Sequence, residues 1–342
     1  MYANLTHETF ASFQDELKRF RRDLHANPEL GFKETRTASK TAGMLQALGL
    51  EVHRGIGKTG LVAVLEGRRT DSGRLIGLRA DMDALPLQEL NAFEHASNAP
   101  GLMHACGHDG HTAILMGAAK YLAQTRQFNG KVAFIFQPAE EGLGGAQAMI
   151  DDGLFDRFDC QAVYALHNWP ALPPGHVGIN PGPMMAAADR FEITIRGRGG
   201  HGAHPYQAVD PVLIASHLVT ALQSIVARNV HPLEAAVITV ASVQAGDPKA
   251  MSVIPDQAHL VGTVRTFKPE VQALVQRRMQ GLIEQVARAF DATASMHYQK
   301  LYPPTINAAE HAELVAEVDT ELLGHAHAQR AMPPSLGAEQ FS

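Results

Sequence analysis

The sequence predicts an α/β protein, with a mainly parallel sheet carrying helices on both faces and an inserted ferredoxin-like βαββαβ domain. Through the first half of the chain, short β-rich runs alternate with helical patterns, which is typical of a parallel sheet covered on both sides. From about residue 185 the predicted order becomes strand, helix, strand, strand, helix, strand. We therefore expect a first domain over residues 1–184, an inserted lid domain over 185–299, and a return to the first domain over 300–342.

The first domain opens with two amphipathic helices. Apolar residues recur at helical spacing over residues 8–27 and 34–48, and Pro28 and Gly49 stand where these helices should stop. The elements predicted next are strands at 60–65 and 75–80, a helix from about His108, a strand at 132–137, a helix after Gly144 and a strand at 162–167. In such sheets, functional sites form where the C-terminal ends of strands meet the following loops, so we expect the functional residues at these ends.

The inserted domain is predicted from alternating strands and two helical patterns. Its strands are expected at 191–196, 236–243, 258–266 and 292–298, and its helices at 209–227 and 271–290. The longest uncharged apolar stretch, residues 211–227, is interrupted by His217, Thr220, Gln223 and Ser224. It therefore predicts an amphipathic helix rather than a membrane span, and no membrane partner is expected.

Composition narrows the function classes. With 45% hydrophobic and 19% charged residues among 342, the chain is unlike disordered, collagen or coiled-coil proteins. The net charge of −6 without blocks of like charge argues against a nucleic-acid partner. The first residues mix acids and bases and lack an apolar signal core, so we expect a cytoplasmic protein. Two cysteines cannot form a disulfide framework, whereas 18 histidines favour a metal site.

The segment HACGHDGH, residues 104–111, is the first candidate for that site. In an extended segment, residues 104, 106 and 108 project from one face, which would present imidazole, thiolate and imidazole together. Gly107 leaves room for a cation to approach the backbone. The alternative is a structural cysteine among histidines that already have hydrogen-bond partners.

Three further strand ends carry acids or histidine. Glu140 and Glu141 follow the strand at 132–137, and adjacent carboxylates repel unless they share a cation or a proton. Beside a metal, one would bind it and the other would take a proton from water. His167 ends another strand, while Asp81 and Asp83 follow a third and could orient metal-binding imidazoles. The alternatives are a solvated loop for the glutamates and an Asp-rich turn for the aspartates.

Read in order, these motifs resemble one enzyme family. LRADMDALP, HACGHDGHTA, QPAEEG, ALHNWP, GRGGHGAHP, SVIPDQA and GTVRTF are similar to motifs of the dinuclear metal-dependent amidohydrolases, which include hippurate hydrolase, N-acyl-amino-acid amidohydrolases and indole-acetyl-amino-acid hydrolases. This group is related to aminoacylases and metallo-carboxypeptidases. The resemblance, over about residues 20–341, implies metal-dependent hydrolysis of N-acyl amino acids by a homodimer that associates through the inserted domain.

The resemblance also implies a metal-ligand set. Cys106 would bridge two divalent ions, His108 and His167 would complete one ion, and Glu141 would bind the other. Asp81 stands where the related carboxypeptidases have a metal-binding histidine. Zinc, manganese, cobalt and nickel all suit this set, with the thiolate favouring the softer ions.

The catalytic and substrate-binding roles follow from the same resemblance. Glu140 would be the general base, and Asp83 would take the acidic position that supports a metal-binding histidine. His201 would reach the partner's active site and stabilise the oxyanion, or else be a turn residue in a Gly-rich loop. Arg265 would pair with the substrate carboxylate, or else be a solvated cation at a strand end. Ser252 occupies a substrate-binding position where relatives commonly carry Asn.

Family members continue beyond the point where this sequence stops, and a late histidine there binds the second ion. We therefore expect that the C-terminal part of the catalytic domain is missing, and that the second ion, left with Cys106 and Glu141, is held more weakly than the first. Gln340 replaces an acid usual in that segment. A carboxypeptidase or dipeptidase, and a catalytically impaired metal-binding paralogue or fragment, remain the alternatives.

Overall fold

The computed structural model describes residues 7–342, with side chains described from residue 10. Its fold is mixed α/β, and the chain divides into two units. The first unit contains the described residues up to Val177 together with Glu317–Ala328. The second contains Gly178–Ala316 and Gln329–Ser342. Each unit has its own cluster of buried apolar side chains.

The first unit is built on a five-stranded sheet of order β1-β2-β4-β3-β5. The strands are β1 Glu51–Ile56, β2 Gly60–Glu66, β3 Leu75–Asp81, β4 Lys131–Gln137 and β5 Ala162–Ala165. Strand β3 pairs in parallel with β4 and β5, whereas the β1–β2 and β2–β4 pairs are antiparallel. The sheet is therefore mixed, which corrects the expected mainly parallel sheet. Strands β1 and β2 are joined by residues 57–59 alone, a link too short for the crossover that parallel strands require.

Helices cover both faces of this sheet. They are α1 His7–Ala26, α2 Thr35–Ala47, α3 His108–Thr125, α4 Gly145–Asp151 and α5 Leu154–Arg157. Leu24, Leu45 and Met116, from the first three helices, are buried in one cluster with Phe134 and Phe136 of β4. On the other face, the Met149 side chain of α4 packs against Gly57 and Gly60. A Cβ added at Gly57 would lie 2.7 Å from this side chain, and one added at Gly60 would lie 3.2 Å from it. Alternate strand side chains thus enter two apolar layers.

The second unit contains an antiparallel four-stranded sheet of order β10-β12-β8-β13. The elements from Val177 onward are β6 Val177–Gly178, β7 Gly182–Met185, β8 Ala187–Arg196, β9 Gly200–His201, a 3₁₀ turn Pro205–Gln207, α6 Pro211–Asn229, β10 Ala236–Ala245, β11 Val253–Ile254, β12 Gln257–Thr266, α7 Pro269–Ala289, β13 Thr293–Tyr302, β14 Thr305–Asn307, α8 Ala309–Leu323 and β15 Ala328–Gln329. Apart from the short strands, the order from β8 to β13 is strand, helix, strand, strand, helix, strand.

Helices α6 and α7 supply the core of the second unit. Leu222 of α6 and Met279 of α7 are fully buried with Ile195 of β8. Within the described residues, α6 is the one helix long and apolar enough to cross a membrane by length and composition. Its apolar side chains at helical spacing lie in this core, as expected for an amphipathic core helix: Ile214, Leu218, Leu222 and Ile225.

Strand directions in the first unit bring three chain segments to one edge. In the parallel ladder Asp81 lies opposite Gln137, and Arg79 lies opposite Ala165. The residues that follow β3, β4 and β5 therefore leave the sheet side by side, at its carboxyl end. This edge carries the candidate site.

Candidate metal centre

Cys106, His108 and His167 form the centre of the site. One donor atom from each lies within 4.8 Å of the others, and Sγ of Cys106 is 3.3 Å from Nε2 of His167. Nδ1–H of His167 donates to the carbonyl of Asn168 at 2.7 Å, which fixes the ring and turns Nε2 towards the cysteine. Imidazole and thiolate at these separations are a ligand set for zinc or another soft to borderline divalent ion.

Gly107 allows the segment that carries Cys106 to approach the segment that carries His167. It has φ of +90° and is the N-cap of α3, so the chain turns sharply between Cys106 and His108. A Cβ at this position would lie 2.4 Å from Oδ1 of Asn168, the neighbour of His167. A side chain is therefore excluded on both conformational and steric grounds.

His108 is held by one carboxylate and faces two others. Its Nδ1 lies 3.2 Å from Oδ1 of Asp83, whereas its Nε2 lies 3.6 Å from Oδ2 of Asp81 and 3.9 Å from Oε1 of Glu141. Both Nε2 of His108 and Oε1 of Glu141 are buried and have no hydrogen-bond partner among the described residues. Buried polar atoms normally find a partner, so two such atoms facing each other fit a cation between them. With a cation there, Asp83 would complete a carboxylate–histidine–metal arrangement.

The environment of the site favours the protonated forms of its candidate metal ligands. Burial disfavours the charged imidazolium of His108, but Asp81 and Asp83 outweigh it and raise the pKa of His108 to about 12. Burial raises the pKa of the Cys106 thiol and of the Glu141 carboxyl. Each shift favours a proton where a metal ligand must have none, so a cation binding here would release protons.

Glu140 and Glu141 enter the site from the turn after β4. Donor atoms of Glu140, Glu141 and His108 also lie within 4.8 Å of one another. Asp83 Oδ2 accepts a hydrogen bond from the Glu141 backbone N–H at 2.9 Å. Glu140 is buried and Glu141 is half-buried. The pair is therefore part of the site rather than of a solvated loop.

Asp81 and His111 form a third group of potential ligands with His108, and Oδ2 of Asp81 lies 3.6 Å from Nε2 of His108. Nδ1–H of His111 donates to Asp81 Oδ1 at 2.7 Å, and its Nε2 accepts from the backbone N–H of Asn168 at 2.9 Å. Both ring nitrogens therefore support the scaffold. Burial opposes ionisation of Asp81, but Arg79, 3.0 Å away, together with the histidines holds its pKa well below its usual range.

Sequence reasoning missed the role of His111. Its spacing of three from His108, on a helix that starts at His108, was the available signal, because such residues share one helix face. His104, in contrast, was placed on the same face as Cys106, yet it is absent from these ligand groups of the described residues. The turn at Gly107 replaces the extended backbone on which that expectation rested.

The remaining predicted residues, His201, Ser252 and Arg265, lie in the second unit. His201 and Ser252 are brought together there: β9 pairs with β11, and Gly202 N–H donates to the Ser252 carbonyl at 2.7 Å. The His201 side chain is exposed. Arg265 lies on β12, and its Nη1 is buried without a hydrogen-bond partner among the described residues. The Nη1 group of Arg265 is therefore shielded from solvent, although the residue as a whole is half-buried.

Comparison with known proteins identifies close relatives. Residues 77–342 match the pattern of the peptidase family M20/M25/M40. The chain is 44% identical to the hippurate hydrolase of Campylobacter jejuni, over 96% of this chain and 84% of the relative. It is 44% identical to the N-acyl-L-amino acid amidohydrolase of Geobacillus stearothermophilus, over 90% and 83%. Among solved structures, a Bacillus subtilis protein described as a dinuclear metal binding peptidase of family M20 superposes with a TM-score of 0.80 at 36% identity, over 96% of this chain and 85% of that chain.

Proposed function

Because the chain belongs to the peptidase family M20/M25/M40, we propose that it is a metal-dependent amidohydrolase that cleaves the amide bond of N-acyl amino acids. The observation that carries this proposal is the meeting of Cys106, His108 and His167 with two glutamates at the carboxyl edge of the sheet. The names of the relatives, a hippurate hydrolase and an N-acyl-L-amino acid amidohydrolase, support the substrate class. Hippurate and N-acetyl amino acids are therefore the first substrates to test.

Two divalent ions would be held by the ligands described above. Cys106, His108 and His167 would hold one, and Cys106 with Glu141 would hold the other. When bound, such ions polarise an amide carbonyl and lower the pKa of water towards neutrality. The relative described as a dinuclear metal binding peptidase supports the number of ions. Zinc, manganese, cobalt and nickel are the candidates.

Glu140 would act as the general base and then as the general acid. Its carboxylate would accept a proton from the attacking water as the water oxygen bonds to the amide carbon, and would return that proton to the nitrogen as the C–N bond breaks. The products are a carboxylic acid and a free amino acid. Burial of Glu140 beside His108 and Glu141 supports this role, because a base works best when held close to the proton that it takes.

The second unit would supply substrate recognition. His201 would donate to the developing oxyanion in the site of a second copy, which requires a homodimer formed through this unit. Arg265 would form a bidentate pair with the substrate carboxylate, and its orphaned buried Nη1 supports a need for an anionic partner. Ser252, beside His201, would contact the substrate. We place the enzyme in the cytoplasm.

A peptidase is the second candidate, because the family and the solved relative are described as peptidases. Purified protein would be incubated with each of the four metals and with hippurate, N-acetyl amino acids, dipeptides and longer peptides, and the release of free amino acid would be measured. An amidohydrolase should prefer acyl groups that lack a free amine. Faster turnover of dipeptides would favour the peptidase, and absence of metal-dependent release from every substrate would exclude both functions.

A further inference from the structure

Glu34 is a fully buried carboxylate that contacts the segment carrying the two site glutamates. Its Oε1 accepts a hydrogen bond from the backbone N–H of Ala139 at 2.7 Å, and its Oε2 accepts from the Thr59 hydroxyl at 2.5 Å. Ala139 immediately precedes Glu140. The contact therefore joins the start of α2 to the turn after β4, across 105 residues of chain.

Glu34 is not needed to cap its own helix. It occupies the N-cap position of α2, yet its side chain makes no capping hydrogen bond. Glu29 does this instead: Oε1 accepts from the Arg36 N–H at 3.0 Å and Oε2 accepts from the Thr37 N–H at 2.8 Å. Because another acid satisfies the first turn of α2, the carboxylate of Glu34 is available to the turn after β4.

Ala139 has a backbone conformation that calls for such support. Its φ is +50°, in the left-handed region that residues other than glycine rarely adopt. Gly31, close to Glu34 in the chain, has no room for a side chain, since a Cβ there would lie 2.9 Å from both Cα and Cβ of Ala139. The strained turn is thus packed and hydrogen-bonded from one loop, as expected where surrounding structure imposes an unfavourable conformation.

The backbone N–H groups of the residues before and after Glu140 each donate a hydrogen bond to a buried carboxylate. Glu34 accepts from the N–H of Ala139, and Asp83 accepts from the N–H of Glu141. Burial raises the pKa of Glu34, with the nearby charge of Asp83 adding to the shift. A protonated Glu34 still has a carbonyl oxygen for the Ala139 amide, so this hydrogen bond is available in either protonation state.

We infer that Glu34 is a positioning residue, which holds the left-handed turn at Ala139 and so aims Glu140 and Glu141 into the site. The catalytic part of this inference rests on the proposed function, whereas the structural part does not. A displacement of about 1 Å in a reacting group costs up to about 100-fold in rate. Loss of the Glu34 contact should therefore lower kcat more than it raises KM, because Glu140 acts in the chemical step.

Four variants test this inference. Glu34→Ala removes the acceptor, and Glu34→Asp keeps a carboxylate but shortens its reach by one methylene; we expect kcat to fall about 10- to 100-fold in both. Glu34→Gln keeps an oxygen acceptor for the Ala139 amide and should stay within about threefold of wild type, the rescue expected of a hydrogen bond. Thr59→Val is the matched control, since it removes only the other hydrogen bond of Glu34, and it should also stay within about threefold.

Backbone hydrogen exchange of the metal-free protein gives a readout that needs no substrate. Exchange in a peptide covering residues 139–142 should be faster in Glu34→Ala and Glu34→Asp, and near wild type in Glu34→Gln and Thr59→Val. If Glu34→Ala fails to fold, Glu34→Asp decides. Wild-type kcat and exchange in Glu34→Asp would overturn the inference, as would equal impairment of Glu34→Gln and Glu34→Asp. If wild type has no amidase activity, the proposed function fails, while the exchange comparison still tests the support of the turn.

Discussion

Asp83 lies 3.2 Å from Nδ1 of His108, and this contact leaves Nε2 of the ring facing Glu141. The other oxygen of the same carboxylate accepts from the backbone N–H of Glu141. One acid therefore orients two candidate ligands, one through its ring and one through its backbone. Partners of this kind set the affinity of a metal site although they do not touch the ion.

Asp83→Asn should weaken metal binding about 10- to 100-fold, because the amide cannot match the carboxylate as an acceptor for the imidazole N–H. The measurement is calorimetric titration of EDTA-treated protein with zinc. Asp71→Asn, on an exposed residue paired with Arg69, is the control and should bind as wild type does. Unchanged affinity in Asp83→Asn would show that Asp83 does not orient the ligands.

Glu140→Gln should reduce kcat by about 10²- to 10⁴-fold and leave zinc affinity within a few-fold of wild type, because the amide cannot accept a proton. Glu141→Gln is the matched neighbour and should lose metal affinity, since an amide is a poorer ligand than a carboxylate. Steady-state kinetics and metal titration separate the two effects. The opposite assignment, with weak metal binding in Glu140→Gln, would exchange the roles of the two glutamates.

Cobalt should report the cysteine ligand. Cobalt-loaded protein should show thiolate-to-metal absorption in the near ultraviolet, and Cys106→Ala should lose it because that thiol would be deprotonated by the ion. Cys160→Ala should keep the band, because Cys160 belongs to none of the potential ligand groups found among the described residues. A band lost with Cys160 instead would place the metal elsewhere.

The buried contact between His25 and Asp109 should make stability depend on pH. Nδ1 of His25 lies 3.0 Å from Asp109 and its Nε2 lies 3.2 Å from Glu89. The hydrogen bond with Asp109 raises the pKa of His25 despite burial. Burial opposes ionisation of Asp109, but His25, His104 and Arg21 lower its pKa from 3.8 to about 2. The carboxylate's share of the stabilisation is about 2 kcal/mol.

The pKa shifts of His25 and Asp109 affect stability at opposite ends of the pH range. The His25 contribution is complete below its unfolded pKa near 6.5 and is lost as pH rises through the raised native value. The Asp109 contribution is complete above 3.8 and is lost as pH falls towards 2. Urea unfolding of metal-free protein should therefore show the largest contribution between about pH 4 and 6.5. Asp109→Asn should flatten both limbs; a variant with the pH dependence of wild type would contradict this account.

The residue pattern was sufficient for the α/β class and for most element positions. Helices expected at 8–27 and 34–48 coincide with α1 and α2, since their apolar residues repeat at the helical period. Strand β1 was not expected, because its side chains are largely exposed and show little alternation of apolar and polar residues. Its antiparallel hairpin with β2 is one reason why the sheet is mixed rather than mainly parallel.

For the site, the order of strands along the chain predicted which segments would meet, and Asp83, Glu140 and His167 do follow three strands that end at one edge. The local pattern could not show which donors already have partners in the protein. His111 is hydrogen-bonded to Asp81 and Asn168, whereas Nε2 of His108 has no hydrogen-bond partner among the described residues and faces the carboxylates of Asp81 and Glu141. Nor could it reveal Glu34, whose contact with Ala139 spans 105 residues. Periodicity and residue type are local properties of the sequence. Contacts between residues far apart in the chain form only when distant segments pack together, so only the tertiary structure determines them.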